Sequence, residues 1–171
     1  GRKQKLNTVS LVIFAVGNPS RGDDALGPLL MAELEAQGLA GVTLVSDFQL
    51  QIEHALDLDG HDLALFIDAG TGTPAPFAFY ETGPAADTSI STHALTPAAV
   101  LQVHGQLRQT TPPAFVLCIR GECFELGEEL SEAARGHLDT ARQHLAACLA
   151  EPAAQVWRQW LTPSGANSRL D

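Results

Sequence analysis

Four short apolar runs, Val9–Val16, Val42–Ser46, Leu63–Ile67 and Ala114–Ile119, constrain the fold of this chain more than any other feature. They are aliphatic, often β-branched, and show little polar alternation, the pattern of strands buried on both faces. Helical spacing fills the gaps between them. Ala25 to Gln37 sets Leu26, Leu29, Leu30 and Leu34 on one side and stops at Gly38. Leu50 to Leu58 reads as a second helix. Thr96-Pro97 opens a third, with Thr96 as cap and Pro97 in the first turn, running to about Leu107. Ser131, itself a suitable cap, opens a fourth to Leu149 with Leu138 and Leu145 on its apolar side. Phe77 to Glu81 reads as an edge strand and Gly83 to Ser91 as a loop. Buried strands alternating with helices predict an α/β fold, a three-layer sandwich whose mainly parallel twisted sheet is flanked by helices.

The length of 171 residues predicts a single α/β domain over residues 1–150 and a C-terminal tail over residues 151–171. Trp157 and Trp160 stand three apart in that tail and share a helical face. They are expected to fold back onto the domain, the alternative being a partner contact. Lys and Arg number 10 against 20 Asp and Glu, a net charge of −10 that argues against nucleic acid and anionic membranes as partners. No apolar run approaches the length of a membrane span. Cys118, Cys123 and Cys148 form no CxxC pair and leave an odd number, which fits a reducing compartment. Arg2, Lys3 and Lys5 ahead of an apolar run imitate a signal peptide. The run is short and leads into Asp23-Asp24, so it reads as the first strand of a cytoplasmic protein.

The turn after that strand decides the chemistry. Gly17 to Gly22 matches the start of a phosphate-binding loop, but Asp23 and Asp24 stand where that loop carries Lys and Ser or Thr. Two carboxylates repel phosphate. A helix N-terminus favours them ionised, so the loop end suits a cation or proton transfer; the plainer reading is that one aspartate caps the helix. Sites in open α/β sheets form at the C-terminal ends of strands. Those ends carry Asn18, Asp23 and Asp24 on the first strand, Asp47 on the second, Asp68 on the third, and Arg120 and Glu122 on the fourth. His93 precedes the Thr96 helix, on the same side for a right-handed connection. Asp24, Asp68 and His93 make a donor set for a divalent transition metal with open positions, and the topology allows them to meet.

Other candidates carry less. His54 and His61, and His137 and His144, are pairs seven apart and read as solvated surface rather than ligand pairs. Cys118 lies within an apolar strand and reads as core, while Cys123, in a loop beside Arg120, is a weak candidate thiol nucleophile. Ser20 lacks the G-x-S-x-G turn of a serine hydrolase.

The segment GNPSRGDDALGP, from Gly17 to Pro28, resembles the GN-x4-D[DE]-x2-G signature of the endopeptidases that mature [NiFe]-hydrogenases. Asp47, the IDA at Ile67–Ala69 and the STHALTP around His93 extend the likeness from Val9 to Leu149. FQLQIEHALDL and IRGECFELGE are similar to the subgroup serving cytoplasmic NAD-coupled hydrogenases. The resemblance implies removal of a C-terminal extension from the hydrogenase large-subunit precursor after nickel insertion. It implies metal contact by Asp24, Asp68 and His93, with Asp24 a shorter arm than the Glu of some members. Catalysis would fall to Asp24 and Asp68, with Asn18, Asp23, Asp47, Arg120 and Glu122 as substrate-positioning candidates. The nickel is implied to be held by the precursor, so the enzyme keeps no cofactor of its own, although another divalent ion can occupy the same donors in isolation. Two other classes remain open from the residues: a non-cleaving chaperone that recognises the nickel site, and a Mg²⁺-dependent phosphohydrolase. The lack of Lys or Arg in the turn, Arg21 apart, weighs against the latter.

Overall fold

A computed structural model describes residues 8–86 and 95–163. Five strands, β1 (Leu11–Val16), β2 (Val42–Asp47), β3 (Leu63–Gly70), β4 (Phe77–Thr82) and β5 (Ala114–Arg120), form one sheet in the order β2-β1-β3-β5-β4. All pairings are parallel except β4 on β5, which is antiparallel. This is the expected mainly parallel α/β sandwich.

The apolar runs build the core by simple alternation. Leu11, Ile13 and Ala15 of β1 face one layer together with Leu65, Ile67, Phe115 and Leu117. That layer is covered by helices α1 (Leu26–Gln37) and α3 (Glu132–Ala150), which contribute Leu30, Leu34, Leu138 and Leu145. Val12, Phe14 and Val16 face the other layer with Phe66, Val116 and Ala114, beneath a 3-10 helix (Ile52–Leu58) and α2 (Pro97–Arg108). Phe14 and Phe66 stack there at 4.7 Å between ring centroids.

The helix starts follow their caps. Thr96 Oγ1 accepts from Ala99 N and Ser131 Oγ accepts from Ala134 N, as the spacing predicts. Leu50–Leu58 was expected as a helix and forms a 3-10 helix over Ile52–Leu58. The loop expected over Gly83–Ser91 falls partly outside the described residues, and Arg2, Lys3 and Lys5 lie wholly outside them.

Beyond α3 the chain forms a short helix α4 (Ala154–Trp157) and a 3-10 turn (Arg158–Trp160). Trp157 is fully buried against Phe79 and Phe115. Its indole N–H donates to the carbonyls of Cys148 and Glu151 at 3.0 and 2.9 Å, satisfying the end of α3. Thr162 exchanges hydrogen bonds with Phe79 on the edge strand β4. Among the described residues no helix is long and apolar enough to cross a membrane, and all three cysteines are free.

Candidate active site

The chain turns from β1 to β2 on one side and to β3 on the other, so the carboxyl ends of β1 and β3 form the topological switch point. The loop leaving β1 and the end of β3 deliver Asp24 and Asp68 there. Gly17 makes the loop possible. Its φ of +147° and a position where a Cβ would sit 2.1 Å from the Asp24 carbonyl oxygen leave no room for a side chain. The chain then folds tightly enough for Asn18 N to donate to Asp24 Oδ2 at 2.7 Å. Asn18 Oδ1 accepts from Ser20 N at 2.9 Å and its carbonyl from Arg21 N at 3.0 Å, so this residue shapes the turn that orients Asp24.

The two adjacent aspartates divide their labour. Neither side chain caps the helix they lead into, which begins as a 3-10 turn over Gly22–Ala25. Asp23 is fully buried and reaches across to the loop after β5. Its carboxylate accepts from Glu122 N (2.7 Å), Cys123 N (3.2 Å), Ser131 N (2.7 Å) and Ser131 Oγ (2.7 Å). Burial works to raise its pKa, but the backbone and hydroxyl donors together outweigh burial and hold the carboxyl below the usual value. Its acceptor sites are filled by the protein, so Asp23 anchors the β5–α3 loop. Backbone bonds from Asp23 N to Cys123 O, Gly22 N to Glu128 O and Gly127 N to Ser20 O complete that seam.

Asp24 stays half-buried beside Asp68. Asp68 Oδ1 accepts from Ala69 N at 2.7 Å. Its carboxyl is raised to about 6, first by burial and then by the negative charge of Asp24, with the Ala69 N–H working the other way. Among the described residues no Lys, Arg or His forms an ion pair with either carboxylate. Two coupled carboxylates without a counter-charge fit a divalent cation, which would neutralise both. Among the described residues no group of three metal-ligating side chains comes together; His93, the expected third donor, lies outside them. The chain is described again from Leu95, which packs on the same face of the sheet as Val16 and Phe66.

The remaining candidates sit around this pair. Asp47 is in register with Val16, and Asp68, one beyond Ile67, continues the same row, so Asp47 and Asp68 lie two strand spacings apart, about 10 Å. Asp47 Oδ1 accepts from Phe48 N at 2.6 Å and Oδ2 lies 3.3 Å from His54 Nε2. Because Gln51 N donates to His54 Nδ1 at 2.8 Å, the ring proton of neutral His54 is on Nε2 and points at Asp47. His54 is therefore buried and bonded rather than solvated, with its ring edge-on to Phe14. The seven-residue spacing to His61 gave no sign of this; the sharp return of the chain after Asp47 creates it. Arg120 at the end of β5 bonds Glu122 and the Thr73 carbonyl, tying the β3–β4 loop to the rim. His144, also expected at the surface, is wedged against Phe77, Phe79 and Trp160, and burial lowers its pKa. Cys118 pairs in register with Asp68 and its thiol is pushed up to about 11, chiefly by burial, so it is a poor nucleophile.

A cleft of about 540 Å³ opens at the opposite, amino end of the strands, between Leu58–Asp62 and Thr110–Pro113. Its Arg108 is held by Asp59 in a bidentate pair at 3.0 and 2.8 Å, with His104 on the same carboxylate at 3.0 Å. The Asp24–Asp68 pair lies at the other end.

No protein-family model matches the chain, and no curated protein does. Solved structures do. A [NiFe] hydrogenase maturation protease, HycI, from Thermococcus kodakarensis KOD1 superposes with a TM-score of 0.66 at 22% identity, covering 85% of this chain and 95% of that one. The chain has the fold of the hydrogenase maturation proteases. The hydrogenase maturating endopeptidase HybD from E. coli gives 0.63 at 18% identity over 84% of this chain and 93% of its own. A hydrogenase 3 maturation protease gives 0.60 at 20% identity over 80% and 89%. The shared fold extends over 80–85% of the chain in these three superpositions.

Proposed function

We propose that this chain is an endopeptidase that removes the C-terminal extension of a [NiFe]-hydrogenase large-subunit precursor in the cytoplasm after nickel has been inserted. The observation that carries the reading is the Asp24–Asp68 pair, coupled and without a cationic partner among the described residues, at the switch point of a maturation-protease fold. The nickel arrives with the substrate, bound by the precursor, and the enzyme keeps no metal of its own; in isolation the same pair accepts another divalent ion. Asp24 and Asp68, with His93 as third donor, dock on that nickel and so set the scissile bond in place. Asn18 orients Asp24, while Asp47, Arg120 and Glu122 on the rim are available to position the extended peptide.

Hydrolysis then needs a water whose oxygen attacks the scissile carbonyl carbon. Its proton passes to a carboxylate, Asp24 or Asp68, and then to the departing amine as the C–N bond breaks. A precursor without nickel presents no ion for the carboxylates to grip, so cleavage is gated by substrate maturity. The test is intact-mass analysis of the purified precursor incubated with the enzyme, with and without nickel. Loss of a C-terminal peptide only in the nickel-loaded sample is expected. Stable binding with no mass loss would instead make the protein a non-cleaving chaperone of the nickel site.

A further inference from the structure

The long 3-10 helix that follows β2 carries an unusual outer face. Among the described residues eight large apolar side chains are exposed, and three of them, Phe48 (63%), Ile52 (61%) and Leu56 (55%), fall within nine consecutive positions. His54, Ala55 and Leu58 point inward, whereas Ile52, Glu53, Leu56 and Asp57 point outward at four-residue spacing. Phe48 directly follows Asp47 at the carboxyl end of β2, so this stretch starts at the Asp68 end of the sheet, and the 3-10 helix then covers the layer that holds Val12, Phe14 and Phe66. Isolated exposed leucines are ordinary; three large apolar side chains exposed within nine positions, starting at a strand end beside the carboxylates, are not.

Charge specifies what would cover it. Between Arg21 and Arg108 the chain has no lysine or arginine. Of the acidic groups in that stretch, Glu33, Asp59 and Glu81 are paired with Arg142, Arg108 and Arg158 from later in the chain. Glu53 and Asp57, flanking the apolar strip, are exposed and form no ion pair with any described residue. An apolar seam bordered by unpaired carboxylates complements a segment with apolar anchors flanked by lysine or arginine.

Resting on the functional reading above, we infer that Phe48, Ile52 and Leu56, bordered by Glu53 and Asp57, form the docking surface for a basic, amphipathic segment of the body of the precursor. The segment lies outside the peptide that is cut. Two carboxylates on a metal give little protein specificity, and a second contact next to the active end supplies it. Apolar contact sets the lifetime of the complex, and the carboxylates set its rate of formation and its salt dependence.

The test compares the wild-type protein with the triple variant Phe48→Ser/Ile52→Ser/Leu56→Ser and the double variant Glu53→Lys/Asp57→Lys. Precursor binding is read by calorimetry, cleavage by mass and the folded state by thermal unfolding. The triple variant is expected to keep its melting temperature and its kcat within about twofold while KM for nickel-loaded precursor rises at least about tenfold. The double variant is expected to bind more weakly at low salt and to lose the salt dependence of the wild type. Unchanged KM and Kd in both variants, with wild-type cleavage intact, would overturn the docking surface and leave the functional reading standing. A wild-type protein that neither binds nor cleaves the precursor would overturn both. A wild-type dimer that the triple variant abolishes would assign the strip to a second copy of this chain and overturn the proposal.

Discussion

Asp23 and Asp24 are neighbours of identical type, and the fold places them in opposite surroundings, one caged by donors and the other half-buried beside Asp68. Asp23 is lowered below 3.8, so the stability it confers is present above that value and is lost as pH falls through its folded pKa. Replacing Asp23 with Ala strands donors from Glu122, Cys123 and Ser131 and should destabilise the fold by about 2–4 kcal/mol, measured by urea unfolding at pH 7. The cost should shrink towards pH 3. Asp68 behaves in the reverse sense. Its folded pKa, about 6, lies above the ordinary 3.8, so its contribution is fully favourable below 3.8 and is lost as pH rises through 6. Asp68→Asn should therefore stabilise the protein by about 1–3 kcal/mol at pH 8 and change little at pH 3.5, read as melting temperature at both values. A stabilising substitution that removes activity marks a residue retained for function and not for folding. The sequence pattern offered both aspartates for the site. What separates them is Ser131, more than a hundred positions away, whose N–H and hydroxyl complete the Asp23 cage.

At the scale of elements, the loop after β1 is defined by backbone proximity as much as by its charges. Gly17→Ala should impose strain of about 1–3 kcal/mol at a φ of +147° and push against the Asp24 carbonyl. Cleavage should then fall further than the lost stability explains, which comparison of rates below the melting temperature would reveal. The short helix α4 is a second test. Trp157→Ala should cost about 3–5 kcal/mol in chemical unfolding, because it empties a site between Phe79 and Phe115 and frees the carbonyls at the end of α3. The buried strands were legible because each apolar run is long enough to cross the sheet and ends in a turn. That Asp24 and Asp68 come close was legible because the ends of neighbouring parallel strands meet at a switch point. His54 and His144 were not, since seven-residue spacing says only that two residues share a helical face. Their actual partners, Asp47 and Phe14 for one and Phe77, Phe79 and Trp160 for the other, come from folding back across elements.

At the scale of the whole molecule, one sheet brings two carboxylates together at the ends of neighbouring strands, in a chain of net charge −10. Burying Asp68 near Asp24 is unfavourable for folding, and the sheet core on both faces supplies the stability that tolerates it. In the proposed function this pair performs the cleavage of a nickel-bearing precursor. The deciding experiment incubates the nickel-loaded precursor with wild-type protein, Asp24→Asn and Asp68→Asn in turn and follows intact mass. Loss of the C-terminal peptide with the wild type, and rates reduced at least about a hundredfold in both folded variants, is the expected result. Cleavage at the wild-type rate by either variant would contradict it.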